Sequence, residues 1–311
     1  MRKRTCPVCN SSDANILMKF TPELLASVNP TYNLHVLKNV LNGIEKYITY
    51  SRCRKCKMIY CEYIWDDKTL KGIYDEGIDH HLSKQKILSI EKRIALIRLW
   101  TNILRVLKLN GRKYLGDLKV LDFGCGWGDF IDVVNGSGVD VIGFDGDSKK
   151  TTLPKRRGHR IAESIEELKA FGHVDVFVMI SVLEHLQDID FILKLCKELL
   201  KKNGLLVFTV MDYREGYIQK NAKRLGCNQA ALTKNLNPIE HVNVYDYDSV
   251  MRTLKKYNFS FISTGTVLYF TDTILTRNSK SFINLFNFFE KISSKLITDR
   301  ELGITVFSIK N

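Results

Sequence analysis

The amino-acid sequence predicts an α/β fold, a parallel sheet covered by helices on both faces, preceded by a small zinc-binding module. Three observations carry this. From residue 119 onward, short apolar runs alternate with helical segments across short loops, the pattern of a parallel sheet. The first of those runs opens directly into a glycine-rich turn, Asp122-Phe-Gly-Cys-Gly-Trp-Gly128, at the strand end where ligands of such sheets bind. The N-terminal part holds two Cys-x-x-Cys pairs. The 311 residues are 45% apolar and 26% charged, which excludes a disordered, collagenous or fibrous chain. No uninterrupted apolar run nears the roughly 18 residues of a membrane span, and the N-terminus lacks the apolar stretch of a signal peptide, so a cytoplasmic location is expected.

In chain order, the first element is the cysteine module. Cys6-Pro-Val-Cys9 and Cys53-Arg-Lys-Cys56 each let two thiolates of one turn face a single ion, and two such knuckles make a four-thiolate zinc site. The competing reading, a redox dithiol, requires two matched pairs by coincidence. The 43 residues between the knuckles imply an inserted element, and Leu34, Leu37, Leu41 and Ile44 recur there at helical spacing. Cys61 is a competing ligand or a buried free thiol, and His35 is read as a helix surface or packing residue. From Ser83 to Leu109, Ile87, Ile90, Ile94, Ile97, Trp100, Leu104 and Leu107 repeat every three or four residues, a connecting helix with its packing face on that stripe, ended by Gly111.

The sheet follows. Lys119–Phe123 is a buried strand and a helix starts near Asp129. Val139–Phe144 is a second strand closed by Asp145; Val174–Ile180 and Leu205–Val210 are further ones. Glycines in the turn let a ligand approach the backbone, since a side chain at Gly124 or Gly126 would take its space. Asp145, about 20 residues after the glycine turn, suits a carboxylate accepting both hydroxyls of a ribose.

Charge is uneven. The chain carries 47 basic and 34 acidic side chains, net +13, yet residues 1–112 hold 20 basic and 10 acidic, net +10, leaving +3 for the rest. A basic module attracts phosphates, of nucleic acid or of a nucleotide-linked substrate; the alternative is a compositional bias toward Lys.

VLDFGCGWG, VIGFDGD, VDVFVMISVLEHL and LCKELLKKNGLLVFTV, in this order over residues 113–311, resemble the motifs of class I S-adenosylmethionine-dependent methyltransferases. The resemblance implies a Rossmann-like seven-stranded sheet of order 3-2-1-4-5-7-6 with the seventh strand antiparallel, Phe259–Thr266 and Gly303–Ile309 supplying the last pair. It implies S-adenosylmethionine as cofactor. Gly124 and Gly126, with Cys125 between them, would flank its methionine part and Asp122 its amino group. Asp145, followed by Gly146, would hold the ribose, Ala162 and Glu163 would lie near the adenine, and Ile180 and Ser181 would line the pocket. Glu163 is equally readable as a helix cap.

CPVCN, SRCRKCKMIY and the Tyr-rich stretch of Tyr60, Tyr63 and Tyr74 are similar to methyltransferases whose zinc module forms part of the acceptor pocket, including those acting on nucleotide-linked deoxysugars. Pro238-Ile-Glu-His-Val-Asn-Val-Tyr245 resembles their Glu-His-x-x-x-Tyr segment, in which Glu240 and His241 would act as a base dyad; the alternative is a cap for the helix starting near Asp246. His185 is a secondary catalytic candidate. Metal-dependent relatives carry a Glu three residues before Glu184-His185, and Ser181 stands there instead. His80, His81 and Tyr74 are further candidates for the cleft. The sugar C-methyltransferases of this type also have an additional C-terminal domain, and this chain ends soon after its expected last strand.

The sequence thus divides into a zinc module with a helical insertion (1–63), a connecting segment and helix (64–112) and a methyltransferase domain (113–311). Within the latter, residues 212–237 are expected to cover the acceptor, and Ser281–Ile292, with Phe282, Leu285, Phe286 and Phe289 on one face, to pack in the core or against a dimer partner. The expected function is methyl transfer to an oxygen or carbon of a sugar or glycan-type small molecule, by a monomer or dimer. Two alternatives stand beside it. One is an RNA methyltransferase gripping nucleic acid with its basic module, against which no Asn/Asp-Pro-Pro-Tyr tetrad follows the fourth strand. The other is a non-catalytic binding protein.

Overall fold

The computed structural model describes residues 2–28, 34–41, 47–66, 69, 89–112, 116–210, 238–262, 298–299 and 303–310. The chain divides into two compact units. An N-terminal unit comprises Met1–Leu88, Leu183–Ile192 and Met211–Lys256, and a sheet unit comprises Ser89–Val182, Leu193–Val210 and Tyr257–Asn311.

The N-terminal unit begins with β1 (Arg2–Lys3), β2 (Ala14–Phe20), α1 (Pro22–Val28), α2 (Leu34–Leu41), β3 (Ile48–Cys53), β4 (Ile59–Cys61) and β5 (Tyr63–Ile64). The insertion between the knuckles is therefore more than the helix its leucines announce. It also contributes β2, which pairs antiparallel with β3 from Ala14↔Cys53 to Phe20↔Ile48. Leu37 of α2 is buried in a core with Phe20, Leu25, Ile48, Tyr50, Ile59 and Trp65. Ile44 and the side chain of Leu41 lie outside the described residues.

The sheet unit opens with α3 (Ile90–Leu109), capped by Ser89, whose hydroxyl accepts from the Lys92 N–H, and closed through Asn110 and the left-handed Gly111. The buried face of α3 is Ala95, Leu96, Leu99, Trp100, Ile103, Val106 and Leu107. Of the expected packing stripe, Trp100 and Leu107 are buried and Leu104 is partly buried, whereas Ile90, Ile94 and Ile97 are exposed, so the packing face turns toward Leu96, Leu99, Ile103 and Val106. The Trp100 indole packs edge-to-face on Phe130 at 6.3 Å and donates to Ser137 Oγ at 2.7 Å.

Next come β6 (Lys119–Phe123), α4 (Asp129–Asn135), β7 (Asp140–Phe144), α5 (Ser148–Arg156), β8 (Ile161–Ala162), α6 (Ile165–Phe171), β9 (Val174–Ile180), α7 (Ile189–Leu199) and β10 (Leu200–Val210). β8, β7, β6, β9 and β10 pair in parallel in that order. Buried on both faces, β9 reads as an uninterrupted apolar run apart from Asp175. That acid sits at the start of the strand, where it meets Lys119 N–H, Lys201 and Arg112.

The chain then supplies β11 (Asn243–Val244), which pairs antiparallel with β4 as the fourth strand of the N-terminal sheet, and α8 (Tyr247–Lys256). Asp246 caps α8 reciprocally with Ser249, so neither Glu240 nor His241 serves as its cap. β12 (Phe259–Ile262), β13 (Thr298–Asp299) and β14 (Gly303–Lys310) finish the large sheet, β14 running antiparallel to both β10 and β12. With strands counted from β6, the order is 3-2-1-4-5-7-6, as expected, and β13 adds a short edge pair to β14.

The face of α3 can be checked by urea unfolding. Ile103→Ala is expected to cost about 2–4 kcal/mol and Ile94→Ala less than about 0.5 kcal/mol. Equal losses would contradict the packing.

Candidate active site

In the sheet unit, the glycine turn is tied down from two sides. The Phe144 carbonyl accepts from Gly124 N–H at 2.7 Å and Cys125 N–H at 3.0 Å, and Asp145 Oδ2 accepts from Gly126 N–H at 2.8 Å, while Asp145 Oδ1 takes Asp147 N–H at 2.8 Å. On the other side Arg157 donates to the Trp127 carbonyl and to Asp132 at 2.6 Å, and His159 shares the second oxygen of Asp132 at 2.5 Å. The sequence does not mark these three residues, because no local pattern shows that Asp132 of α4 meets Arg157 and His159 just after α5.

Gly124 and Gly126 both take positive φ, in different surroundings. A Cβ at Gly124 would run into Val182 Cγ2 at 2.4 Å, whereas one at Gly126 meets nothing within 4 Å. Gly126 therefore borders open space, and a side chain at Gly124 would strike Val182. Cys125 is a buried thiol whose pKa burial and the nearby Asp122 and Asp145 push up, so it stays neutral.

Asp122, on β6, is fully buried, and its Oδ2 has no hydrogen-bond partner among the described residues. Burial first, then Asp145 and Asp129, push its pKa up to about 8. A buried acid with no counter-charge is costly unless a ligand cation completes it. Ser181 ends β9 at φ 52, an unusual conformation for a residue other than Gly, held by its N–H on the Thr209 carbonyl and hydroxyl. Ile180 is half-buried, Gly146 exposed and Ala162 buried. Glu163 is exposed and pairs with Lys155; the cap of α6 is Ser164 instead.

In the N-terminal unit, residues 183–187 and 238–245 are brought together. The His185 and His241 rings meet edge-to-face at 4.8 Å. Tyr50 donates its hydroxyl to the His241 carbonyl, and Trp65 Nε1 donates to the Ile239 carbonyl at 3.3 Å. Glu240 and His241 are half-buried. Glu184 is buried at 2% exposure, and neither carboxyl oxygen has a partner among the described residues beyond a weak pull from its own backbone amide; burial pushes its pKa up to about 8. Tyr74, His80, His81, residues 212–237 and Ser281–Ile292 lie outside the described residues.

The same unit holds the cysteine cluster. The sulfurs of Cys6, Cys9, Cys53 and Cys56 lie within 4.8 Å of one another, compatible with the edge of about 3.8 Å that Zn–S bonds of about 2.3 Å give a tetrahedron. The two knuckles repeat one hydrogen-bond pattern. Asn10 N–H donates to Cys6 O at 2.8 Å and Lys57 N–H to Cys53 O at 3.0 Å, both donors at positive φ, and Cys6 and Cys53 N–H donate to Ser11 O and Met58 O. Cys6 and Cys56 share a hydrogen bond between sulfurs 3.3 Å apart, which pushes the Cys6 thiol up and pulls the Cys56 thiol down; a metal ligand would have to give up that proton. His35 lies on α2 outside the cluster. Cys61, on β4, is also outside it, a buried thiol near the Pro238 carbonyl that burial pushes up to about 12.

A parallel sheet of this strand order with a glycine turn after its first strand defines a class I S-adenosylmethionine-dependent methyltransferase fold. The family described as "Methyltransferase domain" matches residues 90–264, more than half of the chain, and the chain belongs to it. The ubiquinone biosynthesis O-methyltransferase of Pelagibacter ubique is 32% identical over 120 residues, 36% of this chain and 50% of that protein. The protein of the same name from Bradyrhizobium diazoefficiens is 30% identical over 105 residues, 32% of this chain and 42% of that protein. The chain thus spans half or less of the length of these curated relatives. A plantazolicin methyltransferase solved with a triazolic desmethylPZN analog and SAH shares the fold at a TM-score of 0.51 and 14% identity, covering 78% of this chain and 94% of that one. Among the described residues, no helix is long and apolar enough to cross a membrane.

Metal analysis is expected to return about one zinc per chain, lost in Cys53→Ser, with a lower melting temperature after chelation. Metal-free protein of unchanged stability would remove the assignment.

Proposed function

We propose that the chain methylates a hydroxyl oxygen of a small-molecule acceptor, with S-adenosylmethionine as donor and zinc as a structural ion held by Cys6, Cys9, Cys53 and Cys56. The observation that carries the donor is the unpartnered buried oxygen of Asp122 on β6, the strand that opens into the glycine turn. Asp122 would take the donor's ammonium. Asp145 has one backbone N–H on each oxygen and lone pairs left for the ribose hydroxyls. Ala162, Gly146, Ile180 and Ser181 would border the remainder.

The donor supplies a methyl carbon already activated by a sulfonium. The protein's share is to hold the acceptor oxygen in line and to remove its proton as the C–O bond forms. His241 is the residue type for that proton, with Glu240 adjacent in sequence and His185 against its ring. Oxygen is preferred to carbon because the curated relatives are named O-methyltransferases. The narrower reading, a sugar or nucleotide-linked sugar, rests on the likeness of the cysteine module and of Pro238–Tyr245 to sugar methyltransferases. A labelled-methyl screen of nucleotide sugars, phenolic acceptors and RNA separates it from a ring hydroxyl of the kind the relatives' names suggest and from nucleic acid.

Two measurements test the assignment. Below pH 8 the free Asp122 is protonated, and pairing with an ammonium needs the carboxylate, so donor binding releases a proton. Affinity for S-adenosylmethionine, measured by calorimetry, is expected to rise from pH 6 to 8 by up to about tenfold per unit. Asp122→Asn should flatten that slope and Asp145→Ala should weaken binding at every pH. His241→Ala is expected to keep donor binding and lose transfer by about 100-fold or more; full turnover in that variant would exclude the base role.

A further inference from the structure

The two segments that carry the acceptor-side residues are joined through one side chain. Asn243 is 1% exposed, and every polar group it has toward these segments is used. Its backbone N–H donates to the Glu184 carbonyl at 3.0 Å, and Nδ2 donates to the carbonyls of Leu183 at 2.9 Å and Leu186 at 2.6 Å. Its Oδ1 accepts from Arg4 Nη2 at 2.9 Å. The same guanidinium donates to the carbonyls of Val242 at 2.5 Å, Gln187 at 3.2 Å and Cys61 at 2.9 Å, and lies over the Tyr60 ring. Arg4 stands two residues before Cys6, so the first knuckle sets where its fork begins.

Residues 183–187 make an unfavourable arrangement when taken alone. Glu184 is turned inward with neither carboxyl oxygen partnered among the described residues, although rotation toward water would recover its hydration. Three hydrogen bonds from Asn243, to the carbonyls of Leu183, Glu184 and Leu186, hold the turn in that form and fix the backbone on either side of His185.

We propose that Asn243, held by Arg4, is a positioning residue for the acceptor side of the site: it staples the turn of residues 183–187 to residues 238–244, keeping Glu184 inward and the His185 ring against His241. It follows that the cysteine module acts on the chemistry through Arg4 and Asn243 as well as on stability. This rests on the assignment of His241 as base, and the two fail differently.

The test uses the full zinc-loaded chain labelled at histidine, with the ring signals of residues 185 and 241 assigned through His185→Gln and His241→Gln. Asn243→Ala is expected to move both ring signals and their titration midpoints, while affinity for S-adenosylhomocysteine changes less than about twofold and zinc content is unchanged. Asn243→Asp keeps an acceptor for Arg4 but loses both donors to the turn, and it should move the same two signals. Should Asn243→Ala not fold, Arg4→Lys, which cannot fork across four acceptors, reads the same signals. Unmoved imidazole signals in a folded Asn243 variant would overturn the proposal. Moved signals with full transfer by His241→Ala would instead retire the base and leave the staple standing.

Discussion

The glycine turn and the residues gathered around it depend on the parallel alignment of β6, β7 and β9. Parallel neighbours must be joined by crossovers, so all three strands end at one edge of the sheet, and whatever follows each must gather there. The turn after β6, the acid after β7 and the strained Ser181 after β9 are consequences of that alignment. The short side of the bargain falls on the backbone. Chain leaving a strand tip has lost its ladder partners, and here the lost bonds are replaced by Asp145, Thr209 and the Phe144 carbonyl.

Much of this was legible in the sequence because burial on both faces leaves a plain record. Lys119–Phe123 and Val174–Ile180 were bounded to the residue, and the four-cysteine set followed from spacing alone. The misreadings have physical causes. On α3 the expected stripe packs only in its second half, and where the buried face begins is set by tertiary partners such as Phe130 and Ser137 for the Trp100 indole. At Gly124 the absent side chain makes room for Val182, a neighbour 58 positions away that no local pattern reveals. Arg4 and Asn243 are likewise unmarked in the sequence, since a basic N-terminus and an Asn in a short strand are commonplace until their partners are known.

The two units each bury a carboxyl for which no counter-charge is found among the described residues. Asp122 and Glu184 arrive there by different routes, the first on a central strand, the second on a turn held by carbonyl contacts. Both are neutral acids near pH 7 through desolvation. A carboxyl in that state is a hydrogen-bond donor as well as an acceptor. The chemistry open to each therefore differs from that of an exposed carboxylate.

The doubled knuckle also bears on the charge that dominates the N-terminal third. Four thiolates around a divalent zinc leave a formal charge of about −2, and such a centre attracts cations of its own chain. Arg2, Lys3, Arg4, Arg52, Arg54, Lys55 and Lys57 all lie within four residues of a knuckle cysteine. With zinc bound there, about two of the ten net positive charges of residues 1–112 would be offset within the module itself, so that share of the excess would answer to the metal rather than to a nucleic acid.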